Sequence, residues 1–285
     1  GSFNFIIVDE AGQATEPETL AAFTGLVGER DRLVLAGDPR QLGPVVHSKL
    51  AERLGVSMLE RLMARPLYSR QLGGQTGQLG GRYDERVITK LLSSYRSHPH
   101  ILSLPNRLFY DNELRACAAP ERSMSCERWE ELPAQGYPII FHGVKGEDTR
   151  EGNSPSWFNA AEAQVVFDYV SKLRSMRPGL PPNSIGIVTP YQKQCEKLRR
   201  MVHAKGAERL VDVGSAEAFQ GQERRVIIIS TVRSTPQFMK FDTRQKLGFL
   251  ANPKRFNVAI TRAQALLIVV GNPFVLARDE WWGKL

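Results

Sequence analysis

The sequence predicts an α/β protein of two lobes, each built on parallel strands with flanking helices, the first lobe incomplete and the second nearly whole. Three observations carry that prediction. Short runs of branched and aromatic apolar residues recur, as in FNFIIV, RLVLA, SIGIV, VIIIS and ALLIVV, and such runs suit strands buried on both faces. Stretches with helical spacing separate them, which is the pattern of strand, crossover helix and parallel strand. The alternation restarts from about Gly136, so two lobes are expected rather than one.

The first strand lies in Phe3 to Gln13, FNFIIVDEAGQ, read as a buried parallel strand that ends in two adjacent carboxylates, Asp9 and Glu10. Carboxylates at the C-terminal end of such a strand face the crevice where open α/β sheets bind ligands. A solvated strand end followed by an acidic helix turn would look the same in isolation. Ala14 to Gly25 reads as the crossover helix and Arg32 to Ala36 as the second strand, which runs into GDPRQLGP, Gly37 to Pro44. A Gly/Asp/Pro corner explains the turn but not Gln41, whereas a γ-phosphate beside the carboxylate pair explains both.

Pro44 to Arg65 carries Leu50, Leu54, Met58, Leu59, Leu62 and Met63 at roughly helical spacing, with Ser57 as a cap and the methionines expected in the core. Arg70 to Arg82, RQLGGQTGQLGGR, is too poor in apolar residues to fix a structure and reads as a surface loop, with RNA contact an alternative. Val87 to Tyr95 is the next strand candidate. It leads into YRSHP and a helix through Phe109 and Tyr110, with the boundary near Ser93, giving domains 1–92 and 93–285.

In the second lobe, strands are expected at Tyr137 to His142, Ser184 to Val188, Asp212 to Ser215, Val226 to Ser230 and Ala265 to Val270. Helices are expected at Asn159 to Met176, at Gln192 to Ala204 with a basic face, and from Phe256 to Arg262. Polar groups of one kind gather at the strand ends: Arg96 after YRSHP, FQGQE before VIIIS, and Arg255 and Arg262 around KRFNVAITR. Arginines offered to a phosphate stabilise phosphoryl-transfer charge, although each taken singly is equally an ordinary ion-pair partner.

Composition sets bounds. The 285 residues can bury one large or two ordinary cores. No apolar run approaches a membrane span and the N-terminus has no signal-peptide pattern, so an intracellular, cytoplasmic protein with no membrane role is expected. A net charge of +8, from 38 Lys and Arg against 30 Asp and Glu, suits a polyanionic partner and equally a bland basic surface. Cys117, Cys126 and Cys195 lack CxxC spacing, and His47, His98, His100, His142 and His203 lack metal-ligand spacing, so neither disulfides nor zinc are expected.

The motifs DEAGQ, GDPRQLGP, YRSHP, TPYQKQ, VGSAEAFQGQE, STVRS and NPKRFNVAITRA occur in this order and fill the chain. Together they resemble superfamily 1 RNA helicases of the Upf type. IIFHGVKGEDTREGNSPSWFN and LGFLANPKRFNVAITRA look most like the Armitage-like branch associated with small-RNA silencing. The resemblance implies two RecA-like lobes with ATP between them, single-stranded RNA across their top, 5′-to-3′ movement, a monomer, and Argonaute- or PIWI-type partners. It assigns Mg²⁺, through water, to Asp9 and activation of the attacking water to Glu10. Gln41 would sense the γ-phosphate and Arg96 and Arg262 would be arginine fingers. Gly221 and Glu223 would hold the nucleotide, Glu223 through its ribose. Thr189, Tyr191 and Ser215 would contact RNA phosphates.

One departure counts against activity. GxxxxGK[ST], the loop that cradles the β- and γ-phosphates, does not occur in the 285 residues. In the family it precedes DEAGQ, so it would lie upstream of Gly1, and Gly1-Ser2 reads as a cloning remnant. The chain is therefore expected to be a C-terminal helicase portion, inactive alone, with apolar sheet surface left open in the first lobe. A DNA helicase of the same superfamily and a non-catalytic RNA- or protein-binding module are the competing readings.

Overall fold

The computed structural model describes residues 3–26, 28, 30–46, 48–70, 83–152, 154, 156–176, 179–235, 249–250 and 252–285. Gly1-Ser2, His47 and most of the Gly/Gln-rich stretch lie outside the described residues. The chain divides into two compact units, Gly1–Leu91 and Leu92–Leu285, and each is described by itself.

In the first unit β1 (Phe5–Val8) pairs in parallel with β2 (Arg32–Leu35), Phe5 opposite Arg32 and Val8 opposite Leu35. α1 (Glu16–Ala22) joins them, started by a capping box in which the Thr15 hydroxyl accepts from the Glu18 N–H while the Glu18 carboxylate accepts from the Thr15 N–H. The expectation of a buried first strand does not hold. Phe5 is 55% and Ile7 60% exposed, and Val34 beside them is also exposed, because this sheet has two strands and one of its faces is uncovered.

The Pro44 to Arg65 stretch is not one helix. Lys49–Gly55 is a 3-10 turn with a kink at Ala51, and α2 (Met58–Met63) follows, its N-terminus capped by the Ser57 hydroxyl as expected. Leu50 is fully exposed, and Met58 and Met63 are half-buried rather than core. Arg61 of α2 grips the Glu16 carboxylate at both oxygens, at 2.6 and 2.7 Å, and ties α2 to α1.

The second unit begins with a correction. Of the expected strand over Val87 to Tyr95, only β3 (Ser93–Ser94) pairs, with β4 (Arg115–Ala116). α3 (Pro99–Phe109) and α4 (Pro120–Ser123) precede the main sheet. That sheet comprises β5 (Ile139–Gly143), β8 (Ile185–Val188), β9 (Val211–Gly214), β10 (Arg224–Ser230) and β11 (Ala263–Gly271), in the order β5-β11-β10-β8-β9 with every pairing parallel. Between β5 and β8 lies an antiparallel hairpin that the sequence did not suggest, β6 (Asp148–Arg150) and β7 (Trp157–Asn159).

Helices α5 (Ala160–Ser175) and α6 (Gln192–Ala204) pack together on one face. There Val166, Val170 and Leu198 meet Val226, Ile228, Leu266 and Ile268. The alternate residues, Ile227, Ile229, Leu267 and Val269, are as deeply buried on the other face, which α3, α7 (Ala216–Phe219) and α8 (Pro253–Thr261) cover. Each such side chain contributes about 1.5–3 kcal/mol by leaving water, which is why VIIIS and ALLIVV are continuous rather than alternating. α9 (Pro273–Leu276) and the closing turn seat Trp282 edge-on against Phe256, ring centroids 4.8 Å apart.

Because all five strands are parallel, their C-terminal ends share one edge. Helix α6, which follows β8, and helix α8, which precedes β11, lie on opposite faces of the sheet. Adjacent strands whose continuations diverge in this way leave a crevice outside their carboxyl ends. At that edge Thr189 to Tyr191 and Ser230 to Arg233 lie side by side, with Tyr191 packed against Val232 and beneath Arg233.

Candidate nucleotide and nucleic-acid sites

In the first unit the two strand ends are brought together by backbone. The Ala11 N–H donates to the Ala36 carbonyl at 2.8 Å, and the Ala36 N–H to Val8 at 2.9 Å. A methyl group built on Gly37 would lie 2.8 Å from the Gly12 nitrogen and 3.1 Å from that of Ala11, so only glycine permits the DEAG and GDPR turns to touch. Gly37→Ala is expected to cost about 1–3 kcal/mol by overpacking, read as a lower urea midpoint for the first unit. The same change at Gly12, whose nearest neighbour would be 3.3 Å away, should cost less.

On this frame Glu10 adopts a left-handed backbone, φ 50°, which costs a non-glycine residue about 1 kcal/mol or more. Three bonds hold it there. Its N–H donates to Asp9 Oδ1 at 2.9 Å, its carbonyl accepts from the Gln13 N–H at 2.8 Å, and its Oε2 accepts from Gln13 Nε2 at 2.7 Å. Asp9 and Glu10 are both exposed. Gln41 is oriented by Asp38, whose Oδ2 accepts from Gln41 Nε2 at 3.0 Å while its Oδ1 accepts from the Arg40 N–H at 2.8 Å. Sequence reasoning passed over Gln13 and Asp38, although both lie inside the motifs that it quoted.

The second unit pairs two of its candidate residues. Arg96 Nε donates to Glu223 Oε2 at 2.6 Å, and Gln264 Nε2 to Glu223 Oε1 at 2.7 Å. Burial pushes the Glu223 carboxyl up, but the bonds and charge of Arg96 together with the Gln264 bond outweigh it and leave the group below the usual carboxylate range. Gly221 has φ +72° with open space where a Cβ would stand, so glycine serves the turn conformation there. Arg262 is buried, its guanidinium donating to the Val258 and Gln222 carbonyls and the Thr261 hydroxyl. Arg255 is paired with Glu217 at 2.6 Å.

The three candidate RNA contacts differ in accessibility. Ser215 is half-buried and caps α7 by accepting from the Ala218 N–H. Thr189 is fully buried, with its hydroxyl lacking a hydrogen-bond partner. Tyr191 is also buried, packed with Trp157 and Val232, so in this arrangement its ring and the Thr189 hydroxyl have almost no surface to offer.

A buried polar cluster missed by sequence reasoning supports that edge of the sheet. Glu162 on α5 accepts from the Val232 N–H at 2.7 Å and from the Ser230 hydroxyl at 2.8 Å. Val232 is thereby held at φ +70°, a costly state for a β-branched residue. Gln194 Nε2 donates to the Ser230 hydroxyl at 3.0 Å and to the Asn159 carbonyl at 3.2 Å. The turn delivers Arg233 onto the Trp157 and Tyr191 rings, 4.2 and 5.1 Å from their centroids, and into an ion pair with Asp148 at 2.7 Å. A signal for Glu162 existed, since it lies on the helix stripe of Ala163, Val166 and Val170, where a carboxyl needs a purpose.

Among the described residues, no group of three or more His, Cys, Asp or Glu could hold a metal ion, and no helix is long and apolar enough to cross a membrane. The carboxylate pair at Asp9 and Glu10 fits Mg²⁺, a hard cation bound by one or two carboxylates with water and substrate phosphates completing its shell.

Residues 54–273 match a protein family described as an AAA domain, and residues 1–49 match a second family of the same description. The chain is 51% identical over 289 aligned positions to the RNA helicase Mov10l1 of Mus musculus, covering 100% of this chain and 24% of that protein. To the probable RNA helicase armi of Drosophila melanogaster it is 41% identical, covering 100% of this chain and 24% of that protein. To the regulator of nonsense transcripts 1 homolog of the same fly it is 35% identical, covering 99% of this chain and 22% of that protein. The chain spans between 24% and 31% of the length of the first curated relatives it matches. With DEAGQ and GDPRQLGP joined at one strand edge, and FQGQE and NVAITRA disposed around a parallel sheet, the chain belongs to the AAA-domain family, among the Upf-type helicases related to Mov10l1 and armi.

Proposed function

We propose that this chain forms part of an ATP-dependent motor that moves 5′ to 3′ along single-stranded RNA and unwinds duplexes or remodels RNA–protein particles. The observation that carries the reading is Glu10, an exposed carboxylate fixed in a strained backbone by Asp9 and Gln13. Strain maintained at an exposed strand end suits a group that must keep one orientation. Glu10 orients a water and takes its proton as the water oxygen attacks the γ-phosphorus and the bond to the departing diphosphate breaks. Asp9 would hold Mg²⁺ through water, and the ion would supply neutralisation of phosphate charge. Gln41, set by Asp38, senses the γ-phosphate, and Arg96 and Arg262 supply cations for the charge that develops. Glu223 and Gly221 form the nucleotide-side surface of the second unit.

RNA contacts fall to Thr189, Tyr191 and Ser215 at the strand ends. The burial of the first two means that RNA meets that loop through its backbone or after the loop shifts. Contacts of this kind give affinity without sequence preference and make binding salt-dependent. The setting in small-RNA silencing, with Argonaute- or PIWI-type partners in the cytoplasm, rests on the resemblance of the IIFHGVKGEDTREGNSPSWFN and LGFLANPKRFNVAITRA stretches alone.

A non-catalytic RNA-binding module is the second reading, which the absence of GxxxxGK[ST] from the full-length protein would favour. One experiment separates the two: RNA-stimulated ATP hydrolysis by this chain and by a longer chain that supplies such a loop ahead of it. Hydrolysis is expected only from the longer chain. Glu10→Gln in it should lower the rate ~10²–10⁴-fold with RNA binding unchanged. Salt-sensitive RNA binding without hydrolysis in either chain would instead establish the binding module.

A further inference from the structure

One carboxylate in the second unit is shared by two lysines at the rim of the crevice. Glu151, the residue after β6, meets Lys193 Nζ through Oε2 at 2.7 Å and Lys197 Nζ through Oε1 at 2.8 Å. Lys193 lies two residues beyond Tyr191 in the first turn of α6, and Lys197 one turn further along. Glu196 also approaches Lys193, at 3.3 Å.

The two cations are better buried than the carboxylate they share. The Lys193 N–H donates to Ser156 Oγ at 2.9 Å, and the Lys197 ammonium rests 3.9 Å from the centroid of the Phe158 ring. The lysine side chains are only 20% and 28% exposed, while Glu151 is 48% exposed. The β6–β7 stem beside Glu151 is anchored by the buried pair of Asp148 and Arg233. The two lysines hold the Glu151 carboxyl at about 2, so it is fully ionised under all ordinary conditions.

We propose that Glu151 is a latch occupying a ready-made phosphate site formed by Lys193 and Lys197, and that the phosphodiester backbone of single-stranded nucleic acid displaces it. Two non-bridging oxygens on one phosphorus can span the same pair of ammonium groups as two oxygens on one carboxyl carbon. Affinity is lowered by the latch, because a strand must outcompete a tethered anion before it gains these contacts.

This inference rests on the RNA-binding reading above, and its test separates the two. A fluorescein-labelled oligouridylate and its deoxy counterpart are titrated by anisotropy against the 285-residue chain, Glu151→Gln and Lys193→Gln/Lys197→Gln, across a range of potassium chloride. Glu151→Gln should tighten binding several-fold and steepen the slope of log K against log salt by up to ~0.7, one phosphate contact on a single strand. The double lysine variant should weaken binding and flatten the slope, and adding Glu151→Gln to it should then change nothing. Equal effects on the two probes assign the site to phosphodiester in general, and an effect on the ribose probe alone assigns it to RNA. If the unaltered chain binds and Glu151→Gln leaves affinity and slope unchanged, the latch is wrong while the RNA reading stands. If none of the proteins binds either probe, the RNA reading fails and the latch with it.

Discussion

Asp148→Ala should destabilise the second unit by about 3–5 kcal/mol. Asp148 and Arg233 are paired at 2.7 Å with essentially no side-chain exposure on either partner, and Thr235 donates a further bond to the same carboxylate. A guanidinium cannot shed its proton inside a protein, so truncating Asp148 strands a full positive charge against the Trp157 and Tyr191 rings. Their π-faces return part of the loss, which places the effect towards the lower end of that range. The urea midpoint followed by tryptophan fluorescence checks this, with Trp157 beside the lesion as the reporter. Asp148→Leu combined with Arg233→Met should recover most of the stability, since the cost comes from a buried charge without a partner rather than from lost attraction. By contrast, Lys172→Ala, which breaks an exposed pair with Glu131, should leave the midpoint nearly unmoved.

Glu162→Gln should make the stability of the second unit less sensitive to pH. Burial pushes the Glu162 carboxyl up to about 8 from an ordinary value of 4.5, against the opposing pull of the bonds from Val232, Ser230 and Thr231. The folded state therefore holds a proton that the unfolded chain releases above about 4.5. The associated stability is complete below that pH and is lost as pH rises towards 8, by up to ~1.4 kcal/mol per pH unit. Glutamine keeps an acceptor for the Val232 N–H and cannot ionise. Unfolding free energies measured from pH 5 to 8 should thus fall more steeply for the unaltered chain than for the variant, and parallel curves would show that Glu162 is not the titrating group.

How legible these features were in the sequence depended on the range of the interaction that makes each one. α6 was predicted with the bounds it has, and β8, β10 and β11 to within a residue or two, because burial on both sheet faces writes itself as an unbroken apolar run. β1 carries the same kind of run and is exposed, since a run reports what a strand could bury and not how many neighbours its sheet supplies. Val87 to Tyr95 failed for a related reason: its β-branched residues had no partner strand, and only Ser93 and Ser94 found one. The β6–β7 hairpin was invisible because its anchor joins residues 85 positions apart. The pairing of Arg96 with Glu223 spans 127 positions, so two candidates named separately from their motifs turned out to hold each other. Glu10 and Gln41 were recognisable by type, while the left-handed turn and the Gly37 contact that aim them are backbone properties without a compositional signature.

The placement of β11 between β5 and β10 bears on how the protein is made. Among the described residues β5 has no sheet neighbour except β11, which is synthesised after the other four strands of that sheet. At ~5–20 residues per second, the ~120 residues between Gly143 and Ala263 take several seconds or more to synthesise. During that interval β5 has an unpaired edge on each side, and β10 lacks one of its two neighbours. Closure of this sheet is then a late event that inserts β11 between two waiting edges, a non-local step of the kind that slows folding. A nascent chain stalled short of Ala263 would present those edges to any other unfinished copy on the same message, so translation pausing between β10 and β11 is where this sheet is most exposed to misassembly.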